Sequence, residues 1–477
     1  MPPNQSDPLS FASALSNFEA MERELGLSSW LVHGVYVWRL IRVPVFRAYL
    51  QAQGLAGIDH PDKVATSESG LKTVWHLLAH TLFRNPFLLR PRKVERVVMP
   101  HSRKRMHEGE LVDPISIRAW AGCLRESSLI LDSTSANDNF RLPGSPNNYA
   151  PLALGGALGM LTNFRLSRDN LIQVGEIQLR LSKTLTIRNF DLGLEQLSLE
   201  ELLVRRAKYF LGMRRVYRSL FRVTKPKALY LVSGLGREAA IAAAQDLGIS
   251  TAEFQHGSMS RESLSYHFEG WEYVPYFPDH LLVWGPEWLA ATTIPSTCRI
   301  HSVGAPHIED SISASRSGTV RKERTLLVLS QGPVRSKLLS AVGEFANMRP
   351  DWMITIRPHP SESTVDFAQE LEKLAPGMAK KIQIDSLRSL AEASAEASIV
   401  FGVSSTAIIE AIKAGCRAAV LSDRDFPDSF QGLIKSGDVT QVSGGYDLAH
   451  KIDNLPSGST ARYFAKIVKD VTSIVEH

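Results

Sequence analysis

Short apolar runs recur along most of this chain, each closed by a glycine, serine or proline turn and followed by a stretch whose apolar residues return every three or four positions. Such runs read as buried strands, and the periodic stretches between them read as helices. Their alternation predicts parallel sheets with crossover helices. Val94–Met99, Ser128–Leu131, Ala228–Val232, Ser250–Phe254, His280–Trp284 and Arg299–Val303 form a first series. Thr325–Leu329, Met353–Ile356, Lys381–Ile384, Ser398–Phe401 and Ala418–Leu421 form a second. Between them Ser311–Thr319, rich in serine and glycine, reads as a linker. The pattern predicts an α/β protein with two doubly wound parallel-sheet domains facing a cleft. We expect an N-terminal helical extension over residues 1–92, a first domain over 93–310 and a second over 320–477.

Three other segments carry a pattern of their own. Residues 152–225 read as largely helical. Within them Val204–Val223 sets Arg205, Arg206, Lys208, Arg214, Arg215, Arg218 and Arg222 against Leu203, Phe210, Tyr217 and Leu220 at helical spacing. This basic amphipathic helix is either scaffold with a solvated basic face or a seat for an anionic lipid-linked acceptor or the inner leaflet of a membrane. The run Trp30–Arg42 alternates apolar and basic residues; it is either packing or a second membrane-surface contact. Leu142–Phe164 is the longest stretch without charge, but its prolines and glycines suit a loop and a buried helix better than a span.

Composition narrows the class. The 477 residues are 44% hydrophobic, enough for two or three packed domains. The net charge of +5 suits an anionic partner and is too small and too spread to argue for nucleic acid. Cys123, Cys298 and Cys416 offer neither a disulfide framework nor a metal-site spacing, which fits a reducing cytoplasm. No signal-peptide pattern opens the sequence. No metal motif stands out, and no cofactor is expected.

The chemistry concentrates where strands end, the edge at which open α/β sheets bind ligands. Arg357-Pro358-His359-Pro360 closes one strand, and its two prolines stiffen the loop that carries His359. Gly402-Val403-Ser404-Ser405-Thr406 leads from the next apolar run into a helix. Hydroxyls and N–H groups at a helix start form a seat for phosphate. Glu410, further along that helix, is a candidate for ribose hydroxyls. In the first domain Gln255-His256-Gly257 closes a strand, with His256 a candidate for acid/base work and Gln255 for acceptor binding. Ser233-Gly234-Leu235-Gly236 lets another group approach the backbone at Gly234 and Gly236. The charged segment His101–Asp113 supplies Glu108, Glu110 and Asp113 as candidate bases for an acceptor hydroxyl.

With those residues in view, the chain resembles bacterial GT-B glycosyltransferases of capsule and lipopolysaccharide synthesis. It is similar in particular to the sialyltransferase-like group, whose His-Pro and Ser-Ser motifs match His359-Pro360 and Ser404-Ser405. The resemblance implies two Rossmann-like domains and a CMP-activated sugar. It places His359 near the donor phosphate, Ser404 and Ser405 on the phosphate oxygens, and a glycan or lipid-linked acceptor in the other domain. The nearest match to the group's acidic motif is His107-Glu108-Gly109, which lacks the first acid. The Val303-Gly304-Ala305-Pro306 turn looks like the passage between domains in such enzymes. The expected protein is a metal-independent transferase, cytoplasmic or peripheral at the inner membrane. A CDP-glycerol-type glycerophosphotransferase, a nucleotide-sugar epimerase and a non-catalytic glycan-assembly protein are the alternatives.

Overall fold

The computed structural model describes residues 10–55, 94–101, 105–107, 110–119, 128–131, 148–149, 162–183, 198–316, 320–359, 362, 364–374, 382–423 and 430–476. The chain forms two compact units. One holds Pro306–Phe464 with residues 10–17 and 50–55; the other holds Phe18–Tyr49, the described residues between 94 and 305, and residues 465–476.

Helix α1 (Phe11–Glu24), the hairpin β1 (Leu31–Val32) and β2 (Val35–Tyr36), and helix α2 (Val37–Ala52) come first. Strand β3 (Arg96–Met99) follows, then β4 (Arg105–His107), β5 (Glu110–Val112), β6 (Ser128–Leu131) and β7 (Asn148–Tyr149). Helices α3 (Arg168–Lys183) and α4 (Leu199–Thr224) lead to β8 (Ala228–Val232), α5 (Glu238–Gln245), β9 (Ser250–Phe254), β10 (His280–Val283) and β11 (Arg299–Ser302). Seven of these strands form one parallel sheet in the order β11-β10-β9-β8-β3-β6-β7. The chain winds outward from β3 to β7, returns beside β3 as β8 and winds the other way. Strands β3, β8 and β10 are buried along their whole length, and apart from the leading Arg96 and His280 their residues are apolar.

Of the two readings of Trp30–Arg42, packing is the one found, and one expected loop changes. The Trp30–Arg42 segment does not offer its aromatic and basic residues to a membrane. Trp30, Trp38, Arg39 and Arg42 are all buried. Arg42 bonds both oxygens of Glu22 and donates to the carbonyls of Leu264 and His267, while Trp38 donates to Glu22. The segment His101–Asp113, expected as a charged loop, contains the antiparallel pair β4–β5, in which His107 faces Glu110. Residues 152–161 and 184–197 of the expected helical stretch lie outside the described residues.

The second unit contains α6 (Pro306–Arg316), β12 (Thr325–Leu329), α7 (Arg335–Met348), β13 (Met353–Arg357), α8 (Thr364–Leu374), β14 (Ile382–Ile384), α9 (Leu390–Glu396), β15 (Ile399–Gly402), α10 (Thr406–Lys413), β16 (Arg417–Leu421), α11 (Gln431–Lys435), β17 (Thr440–Val442) and α12 (Gly445–Lys451). Its parallel sheet runs β14-β13-β12-β15-β16-β17. The winding is the same, with the reversal between β12 and β15. Two Rossmann-like doubly wound sheets, as a GT-B chain requires, are therefore present unit by unit.

The expected linker is corrected. Residues 306–316 are helical, with Pro306 at the start, where its missing N–H costs nothing, and with Ile308 and Ile312 buried one turn apart. The serines occupy much of the remaining surface of that helix. The units also differ from the expected boundaries at 310 and 320: α6 belongs with the six-stranded unit, and residues 465–476 with the seven-stranded one. In that last segment, α13 (Thr472–Val475) brings Val471 and Val475 into one apolar cluster with Val98, Tyr230 and Phe254.

Candidate functional site

Open α/β sheets bind ligands outside the carboxyl ends of their strands, at the point where strand order reverses. In the six-stranded unit that point lies between β12 and β15. Gln331 follows β12, Arg357 ends β13, and Ser404 follows β15. Gln331 reaches across the reversal: its Oε1 accepts from the Ser404 N–H at 2.9 Å, and its Nε2 donates to Ser404 Oγ at 3.3 Å. Ser405 caps α10, accepting from the Ala407 N–H at 3.3 Å. Thr406 opens that helix, and Glu410 lies half-buried on it. Gly402 admits the close packing: a Cβ there would stand 3.0 Å from Ile408 Cδ1 and 3.2 Å from the Leu329 carbonyl.

His359 is half-buried one loop away, and Glu362 holds it. The His359 N–H donates to Glu362 Oε2 at 2.6 Å, and the Glu362 N–H donates back to the His359 carbonyl at 2.8 Å. The other Glu362 oxygen accepts from Ser330 Oγ at 3.2 Å and faces Arg335 at 3.5 Å. The loop after β13 is thus tied to the loop after β12 through one buried carboxylate. Arg357 points the other way, to Asp385 after β14, at 3.5 Å. Burial lowers the Arg357 pKa and Asp385 partly restores it. Burial pushes the Asp385 carboxyl up, but the bonds from Arg388 and the Leu387 N–H outweigh it and hold it below its ordinary value. Arg357 therefore sits among strand-end ties, apart from the hydroxyls of 404–406.

In the seven-stranded unit the reversal lies between β3 and β8. His101 after β3 and His256 after β9 stack, with ring centroids 5.4 Å apart and planes 24° apart. Gln255 is fully buried and committed: Nε2 donates to the Gly257 carbonyl at 2.8 Å, and Oε1 accepts from the Trp284 N–H at 2.7 Å. It brackets His256 and fastens the β9 edge to the β10 edge. Asp113 is also buried, and its two oxygens accept from the His101 and Ile115 N–H groups at 2.8 and 3.0 Å. Glu108 lies outside the described residues.

The group that approaches Gly234 is internal to the protein. A Cβ on Gly234 would meet Glu253 Oε2 at 2.6 Å. Glu253 is 1% exposed and accepts from the Tyr266 hydroxyl and the Gly234 N–H. Burial raises its carboxyl to about 7, against those two bonds and the attraction of Arg39 and Arg237. Gly236 is left-handed, with φ +81°, and nothing lies within 4 Å of where its Cβ would be. Arg237 donates to the carbonyls of Met99 and Pro100, closing the β3–β8 reversal.

Glu362, Gln331, Glu253 and the His101 ring were not singled out in the sequence. Only Gln331 had a readable signal, since it lies two residues past the first strand of the second series. Among the described residues one cluster has metal-ligand composition: Glu19, His267 and Glu269. His267 Nδ1 accepts the Thr293 N–H at 3.0 Å, so the neutral ring carries its proton on Nε2, the atom facing Glu19 at 3.3 Å. Arg261 holds the other Glu19 oxygen at 2.7 Å. That arrangement is a hydrogen-bonded ion cluster, with no nitrogen lone pair turned toward a cation.

No family model matches the chain, and no curated protein matches it. Solved structures align with much of its length. The UDP-GlcNAc 2-epimerase of Methanocaldococcus jannaschii aligns with 80% of this chain and 97% of its own, at 14% identity and a TM-score of 0.46. MurG of Acinetobacter baumannii aligns with 76% of this chain and 90% of its own, at 13% identity and a TM-score of 0.41. The UDP-GlcNAc 2-epimerase of Neisseria meningitidis, bound to UDP-GlcNAc, aligns over 76% and 90%, at 11% identity and a TM-score of 0.44.

Proposed function

We propose that the protein is a glycosyltransferase that moves a sugar from a nucleotide donor, CMP-activated in preference, to a surface-glycan or lipid-linked acceptor. One observation carries the reading. At the reversal of the six-stranded sheet, Gln331 joins the hydroxyl-rich start of α10 to the β12 edge, while Glu362 fixes the His359 loop to that same edge. A phosphate seated at the α10 start meets backbone N–H groups and the positive end of the helix dipole. His359 then donates to a phosphate oxygen as charge develops on it. These groups offset the leaving charge without a metal.

The acceptor hydroxyl attacks the anomeric carbon, and the bond from that carbon to the phosphate oxygen breaks. The hydroxyl proton passes to a general base, and the nucleotide leaves with the bonding pair. His256, oriented by stacking on His101 and by the Gln255 bracket, is the base this reading favours. Asp113, with both oxygens on backbone N–H groups, holds the His101 loop.

Thermal melting with CMP, CDP, UDP, GDP and dTDP tests the proposal. A ligand at 100 times its Kd adds about 2.7 kcal/mol of stability. Cytidine nucleotides should raise Tm, and Gln331→Ala should blunt the rise. Indifference to all five nucleotides would end the proposal. Conversion of a nucleotide sugar with no acceptor present would replace it with an epimerase.

A further inference from the structure

The basic helix α4 extends to the ligand edge of the seven-stranded unit. It is 26 residues long, capped at its start by a Ser198–Glu201 box, and carries no acidic residue after Glu201. Arg214 is bonded to Asp246, at the end of α5, at 2.6 and 2.8 Å. Both helices lead back toward strand starts, so they run side by side in one direction. One α5 length back along α4, about 12 Å, Arg206 comes level with Glu238, where α5 starts. Arg205, Arg206 and Lys208 therefore stand beside the carboxyl ends of the strands. Arg206 and Lys208 make no ion pair among the described residues.

An apolar surface continues from this shelf. Tyr276 packs on Phe210 of α4, with ring centroids 4.6 Å apart, and its hydroxyl accepts from the Tyr36 N–H. The hairpin β1–β2 so joined to α4 also touches α3: Trp30 donates to Asn170, and His33 bonds the Arg165 carbonyl. Helix α3 buries only a narrow stripe, Val174, Ile177 and Leu181, and leaves Leu171, Ile172 and Leu179 in solvent, Ile172 at 62%. Leu31, at the hairpin, is 52% exposed. Leu171 and Ile172 are neighbours, Ile172 and Leu179 lie two turns apart on one side of α3, and the hairpin bonds Asn170 beside them, so their exposed apolar area adds up on one side of the unit.

We infer that this face docks on an anionic phospholipid bilayer, with the hairpin and α3 side chains entering the headgroup boundary and Arg206 and Lys208 on lipid phosphates. Interfacial binding of this kind combines an apolar ridge with adjacent cations. It needs no spanning segment, and no helix among the described residues is long and apolar enough to cross a membrane. Charge selects the partner: α4 carries no acidic residue after Glu201, and the exposed Asp169 and Glu176 of α3 are matched there by Arg168 and Arg180, so the face keeps a net positive charge that a neutral or cationic surface does not complement.

Flotation of the full chain with vesicles tests the inference. We expect binding to phosphatidylcholine vesicles containing phosphatidylglycerol, weak binding to phosphatidylcholine alone, and release by salt. Arg206→Glu with Lys208→Glu should weaken binding at least about twenty-fivefold, taking about fivefold for each charge removed. Leu171→Ser with Ile172→Ser should also weaken it, at any salt. Arg206, Leu171 and Ile172 are exposed and Lys208 is half-buried without an ion pair among the described residues, so melting temperature and nucleotide response should stay unchanged. Equal binding to both vesicle types, no binding by the wild type, or variants that bind normally would each overturn the inference. So would a sedimenting dimer that Leu171→Ser with Ile172→Ser dissociates, since the face would then join two copies of this chain.

Discussion

Gly234 and Gly236 lie in one turn and are glycine for different reasons. Gly236 is left-handed in open space, so Gly236→Ala should cost about 1 kcal/mol of backbone strain. Gly234→Ala would push a methyl against the buried Glu253 carboxylate and should cost about 1–3 kcal/mol as overpacking. Urea denaturation separates the two; equal losses would mean that Glu253 does not set the identity of residue 234. The two glycines suggested a close approach to this turn, which holds at Gly234 and not at Gly236. The sequence could not show that the visitor is a side chain of the next strand. Glu253 itself has a pH signature. Burial raises its carboxyl from 4.5 to about 7, so the folded protein keeps a proton that the unfolded chain releases. Its contribution is complete below about pH 4.5 and is lost as pH rises toward about 7, amounting to about 3 kcal/mol. Glu253→Gln cannot ionise and should gain on the wild type between about pH 5 and about pH 8. A gap that stays constant with pH would show that this carboxyl does not titrate there.

At the scale of elements, strands were the legible part. Those buried on both faces, such as β8, β12 and β15, leave apolar runs of the right length, while the exposed β11 and the alternating β13 were readable from their place in the strand–helix rhythm. The ties between loops were not, because a glutamine or glutamate after a strand looks like any polar loop residue. Yet Gln331 and Glu362 decide where Ser404 and His359 stand. His359→Ala should lower transfer by about a hundredfold, the usual loss for one transition-state donor. Glu362→Ala should lower transfer too, by releasing the loop, and should cost about 1–3 kcal/mol because the His359 N–H loses its acceptor. Glu362→Gln keeps an acceptor and should restore most of the stability. Single-turnover rates and urea melts on the three variants check this. Full activity in Glu362→Ala would leave the His359 loop held by other means. The helix α6 was missed for a related reason: its serines suggested a linker, while Ile308 and Ile312, one turn apart, were the weaker but truer signal.

At the scale of the molecule, each sheet was foreseen, but the path of the chain between units was not. After Phe464 the backbone rejoins the unit it left at Ala305. The Ala465 N–H donates to the Trp284 carbonyl at 2.7 Å and the Val468 N–H to the Val303 carbonyl at 3.1 Å. Gly304, at φ +72°, makes room: a Cβ there would meet the Ala465 carbonyl at 2.7 Å. Glu476 then pairs with Arg96 on β3 and accepts from the Tyr230 hydroxyl at 3.0 Å. Val471→Asp should therefore destabilise the seven-stranded unit by more than about 4 kcal/mol, through an unpaired charge in its apolar cluster. Hydrogen exchange would locate the damage: β3 and β8 should lose protection, while β12 and β15 keep theirs. Uniform loss in both sheets would mean the two unfold as one. The Arg96–Glu476 bond joins positions 380 apart in sequence. On the ribosome, where units usually complete in chain order, the seven-stranded unit begins first and must wait. Residues 306–464 emerge in full before the segment that seals its core exists, so the later-encoded sheet can mature while the earlier one still exposes the surface that Val471 and Val475 will cover. A chaperone that recognises apolar surface would meet this protein at its first sheet.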